Sequence, residues 1–202
     1  MEFRTGSSGR PSQFSTDVLR LEITGPEQQH LSVIDVPGLF ENPQEDVTTM
    51  ADVALVKSMV YTYMSNPRSV MLAVVPANVD IATQGILQRA KEIDPDGIRT
   101  LGVLTKPDLA PEGTEHNVVN TVMGRNNKLK LGWHVLRNAG QLQLTHSIER
   151  RHAEEKEFFS TKPPWDTIDK NRVGVDAFRS RLRDVLGDHV QHEFPKVLSL
   201  NM

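Results

Sequence analysis

The stretch VMLAVVPANVDIATQGILQRAKEIDPDGIRTLGVLTKPD, residues 70–108, decides the fold class of this chain. Two short apolar runs, residues 70–76 and 99–105, flank a segment at 80–93 whose apolar side chains have helical spacing. Short apolar runs without alternation are typical of parallel strands buried on both faces. Strand, helix and strand in this order predict a parallel α/β unit with a right-handed crossover.

The same alternation continues on both sides of this stretch. Toward the C-terminus the pattern predicts a helix at 115–129, a strand at 133–136, a charged helix at 148–159 that ends before Pro163-Pro164, and an amphipathic helix at 175–192. Upstream it predicts strands at 18–23 and 31–36, which could form a hairpin around a turn at 25–29, and a helix at 46–64. We therefore expect an α/β fold with a mostly parallel sheet flanked by helices.

Composition narrows the functional classes. The 202 residues are 38% hydrophobic and 24% charged, which is typical of a globular domain with a buried core. A formal net charge of -3 provides no basic field, so we expect no nucleic-acid partner. The absence of cysteine excludes disulfides and thiolate metal sites. Residues 1–16 have no apolar core segment and are interpreted as a flexible lead-in, not a secretory signal.

Polar residues follow three of the predicted strands. Asp35 follows the strand at 31–36, TKPD at 105–108 follows the strand at 99–105, and Arg137-Asn138 follows the strand at 133–136. In parallel α/β sheets, ligands bind beyond the carboxyl ends of the strands. The three loops are therefore candidates for one binding edge.

The first loop has the composition of a metal and phosphate site. Asp35 could hold Mg²⁺, directly or through water, beside a triphosphate. Gly38, three residues later, would let its backbone N–H approach the terminal phosphate without a side chain in the way. Taken alone, Asp-x-x-Gly is equally consistent with an ordinary turn after a strand.

The other two loops have groups that suit a purine base. The Asp108 carboxylate can accept two hydrogen bonds from the edge of guanine, a pair that adenine cannot donate. The aliphatic stem of Lys106 can lie along the purine face, and Asn138 could brace the base or ribose loop. Taken alone, Lys106 and Asp108 fit a solvated loop and Asn138 fits a turn.

Together the motifs resemble a known family, because they follow predicted strands in the order that a guanine-nucleotide fold requires. LSVIDVPGLF at 31–40, the long run at 71–114 and GWHVLRNAGQ at 132–141 resemble the G domains of the dynamin superfamily of large GTPases, in particular its fungal dynamin-like branch. EEKEFFSTKPPW at 154–165 and the segment at 174–197 resemble the end of that domain and the helix that follows it. The resemblance covers residues 14–197 and implies a P-loop NTPase-type fold.

The resemblance assigns roles to the loop residues. It implies that Asp35 organises Mg²⁺ through water and that Gly38 senses the γ-phosphate of GTP. It also implies that Asn138 closes the base pocket and that guanine is read by one loop, Thr105, Lys106 and Asp108.

Asp80, in PANVD, resembles a family loop that contacts a second G domain on dimerisation. Two prolines depart from the family pattern. Pro107 replaces an aliphatic residue and would stiffen the base loop, while Pro111 replaces a second acid that faces the nucleotide in many dynamins.

One motif of the family is not found in the sequence. No G-x-x-x-x-G-K-[ST] occurs in the 202 residues, and GSSGRPS at 6–12 lacks its lysine and spacing. We expect an N-terminally truncated G domain, with a lead-in at 1–16, the partial G domain at 17–172 and a C-terminal helix region at 173–202 that leads toward a stalk. We assign no catalytic residue and expect negligible GTP hydrolysis by this chain.

The resemblance also implies a cellular role for the parent protein. It would hydrolyse GTP to remodel membranes or organelles, with its membrane contact in parts other than this chain, and would lie in the cytoplasm, peripheral to membranes or microtubules. The alternative is a non-catalytic interaction module that dimerises with full-length dynamin-like GTPases as a regulator.

Overall fold

The computed structural model describes residues 12–26 and 31–199, and the chain divides into two compact units, Met1–Asn66 and Pro67–Met202. Each unit is described by itself. The helices and strands are α1 Met50–Met64, β1 Met71–Pro76, α2 Gly85–Ile93, β2 Thr100–Thr105, α3 Glu115–Val122, β3 Trp133–Leu136, α4 Ile148–Thr161 and α5 Gly174–Ser199. In the described part of the chain, no helix is both long enough and apolar enough to cross a membrane.

The second unit is built on a parallel three-stranded sheet in the order β1-β2-β3. This confirms the predicted α/β class and the alternation of strands and helices. The core contains apolar side chains from all three strands, from α3 and α4, and from the segment before α5: Val75, Leu104, Val118, Val122, Trp133, Val135, Phe158, Phe159, Trp165, Ile168 and Val173. Burial of this apolar surface stabilises the sheet and fixes its carboxyl-end edge.

The strands differ in how fully they are buried. The residues of β2, the middle strand, are buried except for the half-buried Thr105, as the continuous apolar run predicts. The prediction of two buried faces is wrong for β1, where buried and exposed residues alternate and Val74 is 54% exposed. One face of β1 packs into the core, and the other face, which carries Leu72 and Val74, is exposed.

The predicted upstream strands at 18–23 and 31–36 are not formed. Both segments belong to the first unit, and neither of them forms regular secondary structure. Most of their apolar side chains are exposed, Leu19 by 85%. Alternating sequence makes a stable strand only when a neighbour supplies backbone hydrogen bonds and cover for the apolar face. Part of the predicted turn, residues 27–29, lies outside the described residues.

Helix α1 begins four residues later than the pattern predicted. Asp46 has a positive φ of 60°, which is incompatible with a helix, and Thr49 then caps the N-terminus. The Thr49 hydroxyl accepts from the Asp52 amide at 3.2 Å, and the Asp52 carboxylate accepts from the Thr49 amide at 2.8 Å. The Ser12 hydroxyl also donates a hydrogen bond to this carboxylate. This bond is the main cause that lowers the pKa of Asp52, and the bonds with Thr49 lower it further.

Two other predicted helices are shorter than their periodicity suggested. The segment at 80–93 is a 3₁₀ turn, Ile81–Thr83, followed by α2, because Gln84 between them is extended. The predicted helix at 115–129 ends at Val122, two residues before Gly124, whose φ of 72° terminates a helix. The turns and caps therefore decide these boundaries, and the apolar spacing does not.

The loop that leads into β2 is organised by one buried carboxylate. Asp94 accepts from the backbone amides of Ile98 and Arg99, each at 3.1 Å, and from the Thr100 hydroxyl at 2.6 Å. Gly97 has a φ of 62°, which a glycine adopts at little cost. Three bonds to one charged acceptor fix the entry of the chain into the central strand.

A buried histidine lies in β3. The Nε2 atom of His134 is 2.8 Å from the carbonyl oxygen of Asn171, so Nε2 carries the proton and donates it. Within the described residues, Nδ1 is buried and has no hydrogen-bond partner. Burial is the main cause that lowers the pKa of His134, and the charges of Arg181 and Arg172 lower it further. The hydrogen bond to the Asn171 carbonyl acts in the opposite direction and raises this pKa. The ring is therefore neutral at neutral pH.

Candidate functional site

The carboxyl ends of β2 and β3 lie side by side. Their parallel register pairs Thr105 with Leu136, the last residue of each strand. The loop that begins at Lys106 and the loop that begins at Arg137 therefore leave the sheet at neighbouring positions. This confirms that the TKPD loop and the Arg137-Asn138 loop share one edge.

The TKPD loop has a constrained backbone. Lys106 has a φ of 55°, in the left-handed region that non-glycine residues seldom adopt, at a cost of about 1–3 kcal/mol. It is held there by the turn Pro107–Leu109, in which Pro107 is buried and the Leu109 amide donates to the Lys106 carbonyl at 3.1 Å. The Lys106 side chain is exposed. A strained residue maintained by a buried proline indicates a loop with a preset shape.

Asp108 places a partly exposed carboxylate at this edge. Its side chain is 31% exposed, and Arg137 Nε lies 3.7 Å from its Oδ2. That distance allows electrostatic attraction but exceeds a hydrogen bond. Among the described residues, none donates a hydrogen bond to this carboxylate, so both of its oxygens can accept from a ligand.

Arg137 is held from three directions. Its backbone amide donates to Glu155 Oε1 at 2.9 Å, and its guanidinium carbon lies 5.3 Å from the centre of the Phe158 ring. With Asp108 as its third neighbour, Arg137 links the two loops of the edge. Thr105 is half-buried at the end of β2, and Asn138 is exposed directly after Arg137.

Comparison with known proteins decides the family. The dynamin family pattern matches residues 2–107, and the dynamin central region pattern matches residues 117–199. The chain belongs to the dynamin family.

The curated relatives agree with this membership. The interferon-induced GTP-binding protein Mx2 of Ovis aries is 35% identical over 195 residues, which cover 93% of this chain and 27% of the relative. Human Mx2 matches at the same identity and coverage. The interferon-induced GTP-binding protein Mx of the fish Epinephelus coioides is 34% identical, over 91% of this chain and 30% of the relative. The chain thus spans less than a third of the length of these relatives.

Asp35 and Gly38, the predicted magnesium and phosphate residues of this dynamin-family chain, belong to the first unit. Both are exposed and lie outside regular secondary structure. The described residues contain no group of three His, Cys, Asp or Glu side chains that could hold a metal alone. A single carboxylate fits Mg²⁺ when phosphate and water oxygens supply the remaining ligands. A Cβ at Gly38 would meet nothing within 4 Å.

Asp80, the predicted dimer contact, has a local structural role. Its Oδ1 accepts from the Ala82 amide at 2.9 Å and so caps the turn Ile81–Thr83. The residue is nevertheless exposed, as are Asn78 and Val79 beside it. This loop borders a cleft of about 430 Å³ whose other wall comes from α3 and from residues on both sides of it in the chain. The role of Asp80 in a dimer stays a prediction.

Glu155 is a supporting residue of the site that the sequence pattern does not predict. It lies in the segment that the sequence predicts as a charged helix, yet it is only 6% exposed and accepts a hydrogen bond from the Arg137 amide. A signal was available, because Glu155 precedes Phe158 and Phe159 by three and four residues and so shares their helix face. An acid on the apolar face of a charged helix indicates a buried carboxylate with specific partners.

Proposed function

We propose that this chain contains the guanine-reading edge of a dynamin-family GTPase. The observation that carries the proposal is the Asp108 carboxylate, which is part-exposed, accepts no hydrogen bond from the described residues, and lies at the shared carboxyl edge of β2 and β3. The names of the curated relatives, as GTP-binding proteins, support the same ligand.

The chemistry of the edge favours guanine over adenine. The two oxygens of Asp108 would accept from N1–H and from the exocyclic amine of guanine. Adenine presents an acceptor at N1, which would leave the carboxylate unpaired or repelled. The exposed stem of Lys106 would cover one face of the purine, and Asn138 would border the base from the neighbouring loop.

For the whole protein, we propose GTP hydrolysis in which Asp35 positions a water ligand of Mg²⁺. When bound, Mg²⁺ supplies charge stabilisation for the transferring phosphoryl group. A second G domain as partner, a cytoplasmic location at membranes or microtubules, and a role in remodelling membranes remain proposals that follow from the resemblance.

The substitution Asp108→Asn tests the base assignment by inverting one hydrogen bond. Asparagine would accept from N1–H but would donate where the guanine amine also donates. Xanthine has a carbonyl at that position, so the variant should lose GDP binding and gain xanthosine diphosphate binding. We expect a change in preference of at least about tenfold, since one hydrogen bond to a charged group contributes about 1.5–3 kcal/mol. Titration of purified chain with both nucleotides measures the preference.

The matched control is Asp184→Asn, which makes the same change at an exposed position of α5. It should bind GDP as the unaltered chain does. Equal loss of binding in both variants, or GDP binding that survives Asp108→Asn unchanged, would contradict the assignment.

A second candidate is the non-catalytic dimerisation module. The specific observation is the exposed loop at 78–80, in which Val79 is 41% exposed next to the charged Asp80. Asp80→Asn removes the charge but keeps an oxygen that can cap the Ala82 amide, so it changes the surface with little effect on the turn. Capture of a full-length relative by the unaltered chain but not by Asp80→Asn would support this module. Absence of capture by both would count against it.

A further inference from the structure

Glu155 bonds two segments that are far apart in sequence. Its Oε1 accepts from the Arg137 amide and its Oε2 accepts from the Val175 amide, each at 2.9 Å. The residue lies in α4 and is almost fully buried. A single carboxylate, with one oxygen for each segment, therefore connects the loop after β3 to the start of α5.

Each of these amides depends on Glu155. Arg137 is the first residue of the loop after β3, and its side chain lies beside Asp108. The backbone position of Arg137 therefore determines where its guanidinium group can lie relative to Asp108. Val175 is in the first turn of α5, where backbone amides have no partner within the helix. A carboxylate is favourable at a helix N-terminus, so Glu155 stabilises the start of α5 as well as the loop.

The backbone at the start of α5, next to Glu155, has a conformation that favours glycine. Gly174 has a φ of 79°, in the left-handed region that favours glycine, and a Cβ built on it would be in ordinary contact with Glu155 Oε2, at 3.4 Å. The preceding residue, Val173, forms a parallel bridge with Val135 of β3. The start of α5, the end of β3 and Glu155 thus form one tightly packed junction, in which displacement of one member disturbs the others.

We propose that Glu155 is a positioning residue that couples the guanine-reading edge to the start of α5. Ordering of the Arg137 loop by a bound base holds the Arg137 amide on Oε1 and keeps the carboxylate in place for Val175. Thermodynamic reciprocity requires the converse, so a firmly anchored α5 favours base binding. The coupling rests on the proposed guanine function and adds a route from that site to the C-terminal helix.

Glu155→Gln tests the coupling, because glutamine has one acceptor oxygen where the carboxylate has two. In the full chain we expect the Kd for GDP to rise by about 5-fold or more, the lower end of typical coupling factors. In the unaltered chain GDP should slow hydrogen exchange at the Val175 amide, and in Glu155→Gln this protection should disappear. Glu157→Gln, an exposed position of the same helix, is the matched control and should leave both readouts unchanged.

A second variant tests the junction without nucleotide and remains informative if Glu155→Gln does not fold. Gly174→Ala strains the backbone at a φ of 79°, next to Glu155 Oε2, so exchange at the Arg137 amide should accelerate, although the two residues are 37 positions apart in sequence. Unchanged exchange at Arg137 would overturn the coupling. GDP binding without protection of Val175 would also overturn it, whereas no GDP binding by the unaltered chain would overturn the proposed function and the guanine arm of this inference.

Discussion

Replacement of Gly102 by alanine should disrupt the strand pair that carries the candidate site. A Cβ at this position would lie 2.2 Å from Cε3 of Trp133, against 3.4 Å for an ordinary contact, so the buried indole must move by about 1.2 Å. Such overpacking costs about 1–3 kcal/mol. The shift also threatens the bond from Trp133 Nε1 to the Asn127 carbonyl, 2.7 Å long, which contributes about 1 kcal/mol.

The expected total is a loss of about 3 kcal/mol in the free energy of unfolding. For a chain of this size the loss corresponds to a fall in Tm of roughly 6–12 °C. Thermal unfolding followed by circular dichroism measures it, and Trp fluorescence reports the displaced indole. Since Gly102 and Trp133 are paired across β2 and β3, guanine binding should weaken as well.

Gly187→Ala is the control for this prediction. Gly187 lies in α5 and a Cβ there would meet nothing within 4 Å, so alanine should stabilise the chain by about 0.5–1 kcal/mol. A double variant, Gly102→Ala with Trp133→Leu, should lose less stability than the sum of its single variants, because leucine relieves the clash. A Gly102→Ala chain within 1 kcal/mol of the unaltered protein would refute the argument, because about 1–3 kcal/mol is expected from the clash alone.

The remaining predictions concern a loop, a titrating residue and a helix cap. Asp94→Asn should lower the free energy of unfolding by about 2–4 kcal/mol in chemical denaturation, because an amide cannot satisfy the three donors that the carboxylate holds, and wild-type stability would contradict this. His134 has a lowered pKa, so below pH 6.5 the unfolded chain binds more protons than the folded chain, and stability should fall as the pH is lowered below that value. His134→Gln should flatten this part of the pH profile of stability, and an unchanged slope would exclude the residue as its source. Thr49→Ala should cost about 1 kcal/mol by loss of the α1 cap, measured against Thr62→Ala at an exposed helix position.

The sequence predicted the elements whose partners are also close in the chain. β2 and β3 and the helices after them have apolar patterns that a neighbouring element in the same unit covers, and both strands formed as expected. The segments at 18–23 and 31–36 have an equally clear alternation but no neighbour in the described structure to pair with. Periodicity states which face a strand would bury, and only a partner strand makes it form.

The sequence predicted the residues proposed to contact the base, but it did not predict the residues that hold them in position. Asp108 and Lys106 were found because their spacing after a strand has a chemical meaning. Arg137 was noted only as polar, since its contacts with Asp108 and Phe158 depend on the parallel register of two strands. Glu155 was not predicted because a charged residue in a charged helix is expected to be exposed, whereas it lies on the apolar face of α4. Contacts that depend on three-dimensional register have no local pattern in the sequence.

The central claim is that Asp108 reads guanine at the edge of β2 and β3, and the most direct measurement compares GDP, inosine diphosphate and ADP as ligands of the purified chain. Inosine keeps N1–H but lacks the exocyclic amine, so one of the two proposed bonds is lost. The account predicts binding in the order GDP, inosine diphosphate, ADP, with GDP about tenfold or more tighter than inosine diphosphate. Equal affinity for all three, or ADP bound as tightly as GDP, would contradict it.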